Sequence, residues 1–175
     1  MALLPILTYP DPRLSSKSAP VETINMEIRR LLDDMAETMY DAPGVGLAAA
    51  QVGVNVRAIV VDIAAQEEDS PGLLKLINPE IKLSEGQQIG EEGCLSIPGF
   101  VSLVKRKQRV IVRGVNEKGK HAEIDASGLL ARVLQHEIDH INGILFIDRL
   151  SRLKRELFKK RIDKAFRRSE TYAAF

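Results

Sequence analysis

A single cysteine in 175 residues excludes an internal disulfide framework, and one free thiol suits a reducing cytosol. No apolar run approaches the length needed to cross a bilayer. The first residues, Met1-Ala2-Leu3-Leu4-Pro5-Ile6-Leu7, are apolar but few, lack a basic leader and are interrupted by Pro5, so they do not read as a signal peptide. An Arg- and Ser-rich transit segment is missing too, and the expectation is a cytoplasmic protein. Repeats, low-complexity tracts and long linkers are absent, which leaves one domain over 1–175. Net charge is almost nil, with 25 Lys and Arg against 24 Asp and Glu, so overall charge recruits no partner, DNA and membrane included.

Histidine is scarce as well, three in all, yet two of them stand in His136-Glu137-Ile138-Asp139-His140. Four residues advance an α-helix by slightly more than one turn, so both imidazoles leave one face and can share a divalent metal. Glu137 flanks that face, placed to handle the protons of an attacking water but poorly placed to be a tight ligand. A third protein ligand is then required. Gly143 follows the longer zinc-protease pattern, but Phe146 stands where that pattern needs its third histidine. The downstream stretch that supplies a glutamate in other sites reads Lys159-Lys160-Arg161 here. His121 alternates with Ala122 and Ile124, on the polar side of a strand with Glu123 and Asp125, and reads as solvated. Cys94 is left, preceded by Gly93 and followed by the turn Ser96-Ile97-Pro98-Gly99. Beside two histidines that lack a partner, its thiolate suits a soft or borderline metal better than it suits plain core packing.

These motifs resemble the peptide deformylases. Gly44-Val45-Gly46-Leu47-Ala48-Ala49-Ala50-Gln51, Glu92-Gly93-Cys94-Leu95-Ser96 and Gln135-His136-Glu137-Ile138-Asp139-His140 occur in the family's order, and the opening Ile6-Leu7-Thr8-Tyr9-Pro10-Asp11-Pro12-Arg13-Leu14 is similar to the family's start. The resemblance runs from about residue 4 to about residue 150. It implies hydrolysis of the N-formyl group from the methionine that begins a nascent peptide, with metal held by Cys94, His136 and His140 and protons carried by Glu137. It also implies that the Gly46 backbone contacts substrate, and that the Gln51 side chain and the Leu95 N–H hold the oxyanion. Ferrous iron is the implied native metal, with zinc fitting the same ligands.

Formate is small, so selectivity should come from the methionine side chain. Val45, Leu129 and Val133 are candidate walls for its pocket, Val133 the best placed at three residues before His136; Leu129 serves equally as core. Asp139 either supports the site or is a solvated helix residue, and Arg106 and Arg109 read equally as strand-end charges. Gly44–Ala49 also matches a dinucleotide fingerprint, but a helix precedes it where a strand is needed. Two other functions share parts of the pattern. A metallopeptidase would cut internal bonds, and a non-catalytic metal or redox module would need neither Glu137 nor Gln51.

Ile28, Leu31, Leu32, Met35 and Met39 recur at helical spacing, predicting a helix over 25–41 that stops at Pro43-Gly44. Strands are expected at 56–63, 73–83, 87–92, 101–105, 109–115 and 120–125. Ser127 is the expected N-cap of a helix running to about His140, and a last helix is expected over 148–168. The order argues for an α+β fold, mostly antiparallel sheets around a central HExxH helix, closed by a basic C-terminal helix. Nine basic against three acidic residues from 151 to 175 give that end +6; with +1 for the whole chain, the first 150 residues carry −5. Leu150, Leu153, Leu157, Ile162 and Phe166 form its expected apolar stripe. The opposite basic face reads either as solvated surface or, by resemblance, as a ribosomal RNA contact.

Overall fold

The computed structural model describes residues 2–173, with side chains described as far as Ala165. Helix α1 (Met26–Asp41) forms over the predicted stretch. The Asn25 side chain caps it, accepting from the Ile28 N–H at 3.0 Å. Its Leu32, Met35 and Met39 face is fully buried against Leu47, Ala58, Val60 and Ile77.

Seven strands follow: β1 (Gly46–Ala48), β2 (Ala58–Val61), β3 (Leu74–Glu85), β4 (Gln88–Cys94), β5 (Ile97–Arg106), β6 (Arg109–Val115) and β7 (His121–Ser127). They make an antiparallel five-stranded sheet in the order β1-β2-β3-β6-β7 and a separate β4-β5 hairpin. The architecture is α+β, as the element order argued. In β7 the alternation holds: His121, Glu123 and Asp125 face solvent while Ala126 is buried. Strand β1 was not anticipated, because three small or apolar residues beside glycine carry no period. It pairs with β2 and is followed by a 3-10 turn, Ala49–Val52, which is not the strand–turn–helix a dinucleotide needs.

Helix α2 (Gly128–Ile141) lies between the two sheets and is buried from Leu130 to Ile141. Its two long sides differ in chemistry. Leu130, Ala131, Leu134, Ile138 and Ile141 pack on Ile59, Val61, Val110 and Val112 of the large sheet. Arg132, Gln135, His136, Asp139 and His140 make their polar contacts with the hairpin and the segments flanking it. A helix with an apolar side and a buried polar side requires the second sheet to satisfy the polar one. Ser127 occupies the N-cap position, but its hydroxyl makes no capping bond. The helix ends at Asn142, and Gly143 follows at φ 74°, where a Cβ would also strike the Ser15 carbonyl.

The C-terminal helix differs from expectation. Asp148 belongs to a 3-10 turn, Phe146–Arg149, and Leu150 is extended at ψ 158°, so α3 begins only at Arg152 (Arg152–Ala173). That break rotates the helix relative to a continuous 148–168 segment and overturns half of the described part of the predicted stripe. Leu150 and Ile162 are buried, but Leu153 and Leu157 are 69% and 51% exposed. Phe158 packs instead, its ring edge-on to Phe100 and Phe146 at 5.6 and 5.8 Å. Phe166 lies outside the described side chains.

Candidate active site

Local geometry gives two ligand atoms and the hairpin supplies the third. One turn apart on α2, His136 and His140 bring their Nε2 atoms to 3.2 Å. Cys94 closes β4, and its sulfur lies 3.2 Å from His140 Nε2. The three donor atoms all fall within 4.8 Å of one another. A soft sulfur and two imidazole nitrogens, crowded together in a half-buried to buried setting, fit a divalent transition metal. Burial and the neighbouring His136 charge push His140 well below an ordinary histidine. Burial opposes protonation of His136 too, but hydrogen bonds to the Cys94 sulfur and Glu92 carry it well above.

Glu137 faces the same cavity and is 4% exposed, and its Oε2 has no hydrogen-bond partner among the described residues. Desolvation pushes its pKa up to about 7, with the His136 charge opposing and Glu92 adding to the rise. Gly46 explains how the carboxylate fits. A Cβ there would overlap the Glu137 carboxylate, so only glycine lets β1 pass this close.

Gln51 is 1% exposed in the 3-10 turn after β1. Its Oε1 accepts from the Ala48 N–H at 2.8 Å, which turns Nε2 toward Ser96 Oγ (3.1 Å) and Cys94 Sγ (3.6 Å). Val45, Gly46, Leu95, Leu129 and Val133 join Gln51, Glu137 and His136 around a cavity of about 510 Å³, within the range of small-ligand pockets. Val133 is buried, while Val45 and Leu129 are half-buried and also touch the core. All ten residues singled out in the sequence therefore meet at one place: eight line this cavity with Cys94, and His140 completes the triangle.

Behind the triangle stands an ionic network with no role assigned from sequence. Glu92 accepts from His136 Nδ1 at 3.0 Å, from Arg106 at 2.8 and 2.9 Å and from Arg132 at 2.8 Å. Burial alone would raise its pKa, but the Arg106 and His136 hydrogen bonds and charges bring it down to about 2. Asp139 bridges Arg106 (2.5 Å) and Arg149 (3.0 and 2.5 Å). Arg106 is thus no strand-end charge: its side chain is 3% exposed and bonded to two carboxylates. Arg109 is surface-exposed, paired with Asp125 and Glu85. The missed signals were present. Gly90, Glu92 and Cys94 alternate on one face of β4, and Arg132, His136 and His140 repeat every four residues on α2.

The network makes a stability prediction. Arg106→Met should cost about 3 kcal/mol, because it strands two buried carboxylates beside fewer cations. The Glu92 contribution is fully present above the ordinary carboxylate value near 4.5 and is lost as pH falls toward 2, so the variant should also flatten acid unfolding over that window. Denaturant titrations at several pH values measure both; an unchanged midpoint removes Arg106 from the framework.

Comparison with known proteins matches residues 3–156 to the polypeptide deformylase family. A peptide deformylase of Thermodesulfovibrio yellowstonii is 56% identical over 161 residues, covering 92% of this chain and 97% of that relative. Among solved structures, a peptide deformylase from Legionella pneumophila superimposes with a TM-score of 0.87 at 46% identity, over 97% of this chain and 98% of that one. The Ehrlichia chaffeensis enzyme in complex with actinonin gives 0.88 at 42% identity, over 94% and 98%.

Proposed function

The chain belongs to the polypeptide deformylase family, a metal-dependent hydrolase that removes the N-formyl group from nascent peptides, and on that premise we propose how its own residues divide the work. One observation carries the reading: a Cys/His/His triangle, a buried carboxylate with a free oxygen and an oriented amide all converge on one cavity.

Cys94, His136 and His140 would hold the metal, which when bound would supply Lewis-acid chemistry to the site. Fe2+ is the proposed native ion, with Zn2+ accepted by the same donors; anaerobic purification followed by metal analysis distinguishes them. Glu137 takes the proton of the attacking water and hands it to the departing amine. The hydroxyl joins the formyl carbon, the C–N bond breaks, and formate leaves with a free methionyl amine. Gln51 Nε2 and the Leu95 N–H donate to the oxygen that gains charge, each such donor contributing about 3–4 kcal/mol. Gln51 is suited to this because its carbonyl end is pinned to Ala48. Gly46 offers backbone to the substrate, and Val45, Leu129 and Val133 receive the methionine side chain.

Formyl-methionyl, acetyl-methionyl and unblocked internal-peptide substrates separate this reading from a metallopeptidase. Formate release from the first alone is expected; internal cleavage would overturn the assignment. No described helix is long and apolar enough to cross a membrane. We place the enzyme in the cytoplasm, acting at the ribosome through residues 148–168. Arg152, Lys154, Lys160, Arg161 and Lys164 are exposed on α3, with Lys159 half-buried beside them. Charge reversal of Lys159, Lys160 and Arg161 should weaken ribosome binding and lower its salt slope, each lost phosphate contact contributing about 0.7–0.9 in log K against log salt. Hydrolysis of a short formylated peptide should be unchanged. Unaltered, salt-independent ribosome affinity would leave α3 a structural element.

A further inference from the structure

A second cavity, of about 360 Å³, is lined by the Arg106–Asp139 pair and by none of the metal triangle. Its wall carries four cations, Lys105, Arg106, Lys107 and Arg149, against one carboxylate, Asp139. That carboxylate is already spent, bound by Arg106 Nη1 and by Arg149 Nε and Nη2. The wall's amide Gln135 is spent too: its Oε1 accepts from the Lys107 N–H, and its Nε2 donates to the Lys107 and Ala131 carbonyls.

The donors are not spent. Among the described residues Lys105 Nζ and Lys107 Nζ have neither a hydrogen-bond acceptor nor an ion-pair partner, and Arg149, ion-paired with Asp139, keeps Nη1 without an acceptor. They are also held in place by different elements. Lys105 lies on β5, Lys107 follows it with its backbone clamped to α2, and Arg149 ends the Phe146–Arg149 turn with its guanidinium fixed by Asp139. A ligand bringing donors would find only the Gln87 amide oxygen uncommitted, and one bringing apolar surface only Ile81. A compact group with several negative oxygens would meet two unpaired ammonium groups and the open edge of a guanidinium already oriented by Asp139.

We propose that this cavity binds a phosphate group. The site is independent of formyl hydrolysis, since none of its free donors faces the catalytic cavity. The phosphate reaches it either as a small free anion or as part of an RNA backbone. α3 begins three residues beyond Arg149, and its exposed Arg152 and Lys154 suit a ligand that continues past the cavity.

The test titrates the zinc-loaded full chain with pyrophosphate and, separately, with a short mixed-sequence RNA, following heats of binding and backbone amide shifts. Saturable binding is expected, with shifts centred on residues 105–107 and 149. Lys105→Ala/Lys107→Ala should weaken it by at least about tenfold, the effect of losing a charge-assisted contact. Arg149→Gln should weaken it as well. Turnover of a formyl-methionyl peptide by the lysine double variant should match wild type, which shows that it is folded. Binding of both probes with the same lysine dependence identifies a phosphodiester site; binding of pyrophosphate alone identifies a small-anion site. The proposal is overturned if neither probe saturates, if the shifts centre on Cys94, His136 and His140, or if the double variant binds like wild type.

Discussion

Glu137→Ala is expected to keep its metal and lose most turnover, by roughly 10²–10⁴-fold in kcat, the usual contribution of a general acid–base group. The geometry separates the two functions. Cys94, His136 and His140 supply the donor atoms of the triangle, while Glu137 turns an unpartnered oxygen into the substrate cavity. Its surroundings also set the pH behaviour. Burial holds the metal-free carboxyl near 7, and a divalent cation nearby favours the ionised form, so the working value lies below that. Activity should therefore rise with pH along a single acid limb below 7, because the base must be unprotonated to accept. Glu137→Gln should abolish that limb along with turnover. Measured metal content fixes the interpretation: wild-type kcat in either variant removes Glu137 from the proton path. Gly46→Ala is a complementary probe, since its new Cβ displaces the Glu137 carboxylate while leaving the acid itself in the chain.

What the sequence could reveal of this site divides by the distance over which each signal acts. The two histidines were legible because helix geometry alone relates residues four apart. Cys94, remote along the chain, was legible through chemistry, as a lone soft donor beside a pair lacking a third. Periodicity places Glu92 on the face of Cys94 and Arg132 on that of His136, but the ionic network they form with Arg106 and Asp139 was not legible. A charged residue on a strand or helix reads as solvent-facing until its partners are known, and these partners lie 14 to 40 positions apart for Glu92 with Arg106 and Arg132. The same limit explains α3. Its expected stripe assumes an unbroken helix; with Leu150 extended, Ile162 keeps its buried place and Phe158 packs instead of the exposed Leu153 and Leu157. Strands β2, β3, β6 and β7 of the large sheet were legible, and β1 was not. The division of α2 into an apolar and an ionic side followed from having two sheets to face.

Cys94→Ser should lower metal occupancy further than any other single change at the site outside the two histidines. A serine hydroxyl is shorter, neutral and hard, so it replaces the one anionic soft donor with a weak one. Losing only the hydrogen-bond partner of a ligand typically costs 10–100-fold in metal affinity. Losing the ligand itself should exceed that, and activity should fall in proportion to occupancy. The neighbourhood gives no substitute: Gln51 Nε2 near the sulfur is a donor, and the adjacent Glu92 carboxylate is committed to His136, Arg106 and Arg132. Cys94→Asp restores a negative charge at a different length and should keep weak binding with altered metal preference. Equilibrium dialysis against a competing chelator, followed by metal analysis, ranks the three proteins. Full stoichiometry and unchanged hydrolysis in the serine variant would take Cys94 out of the metal site and return it to core packing against Ile97 and Phe146.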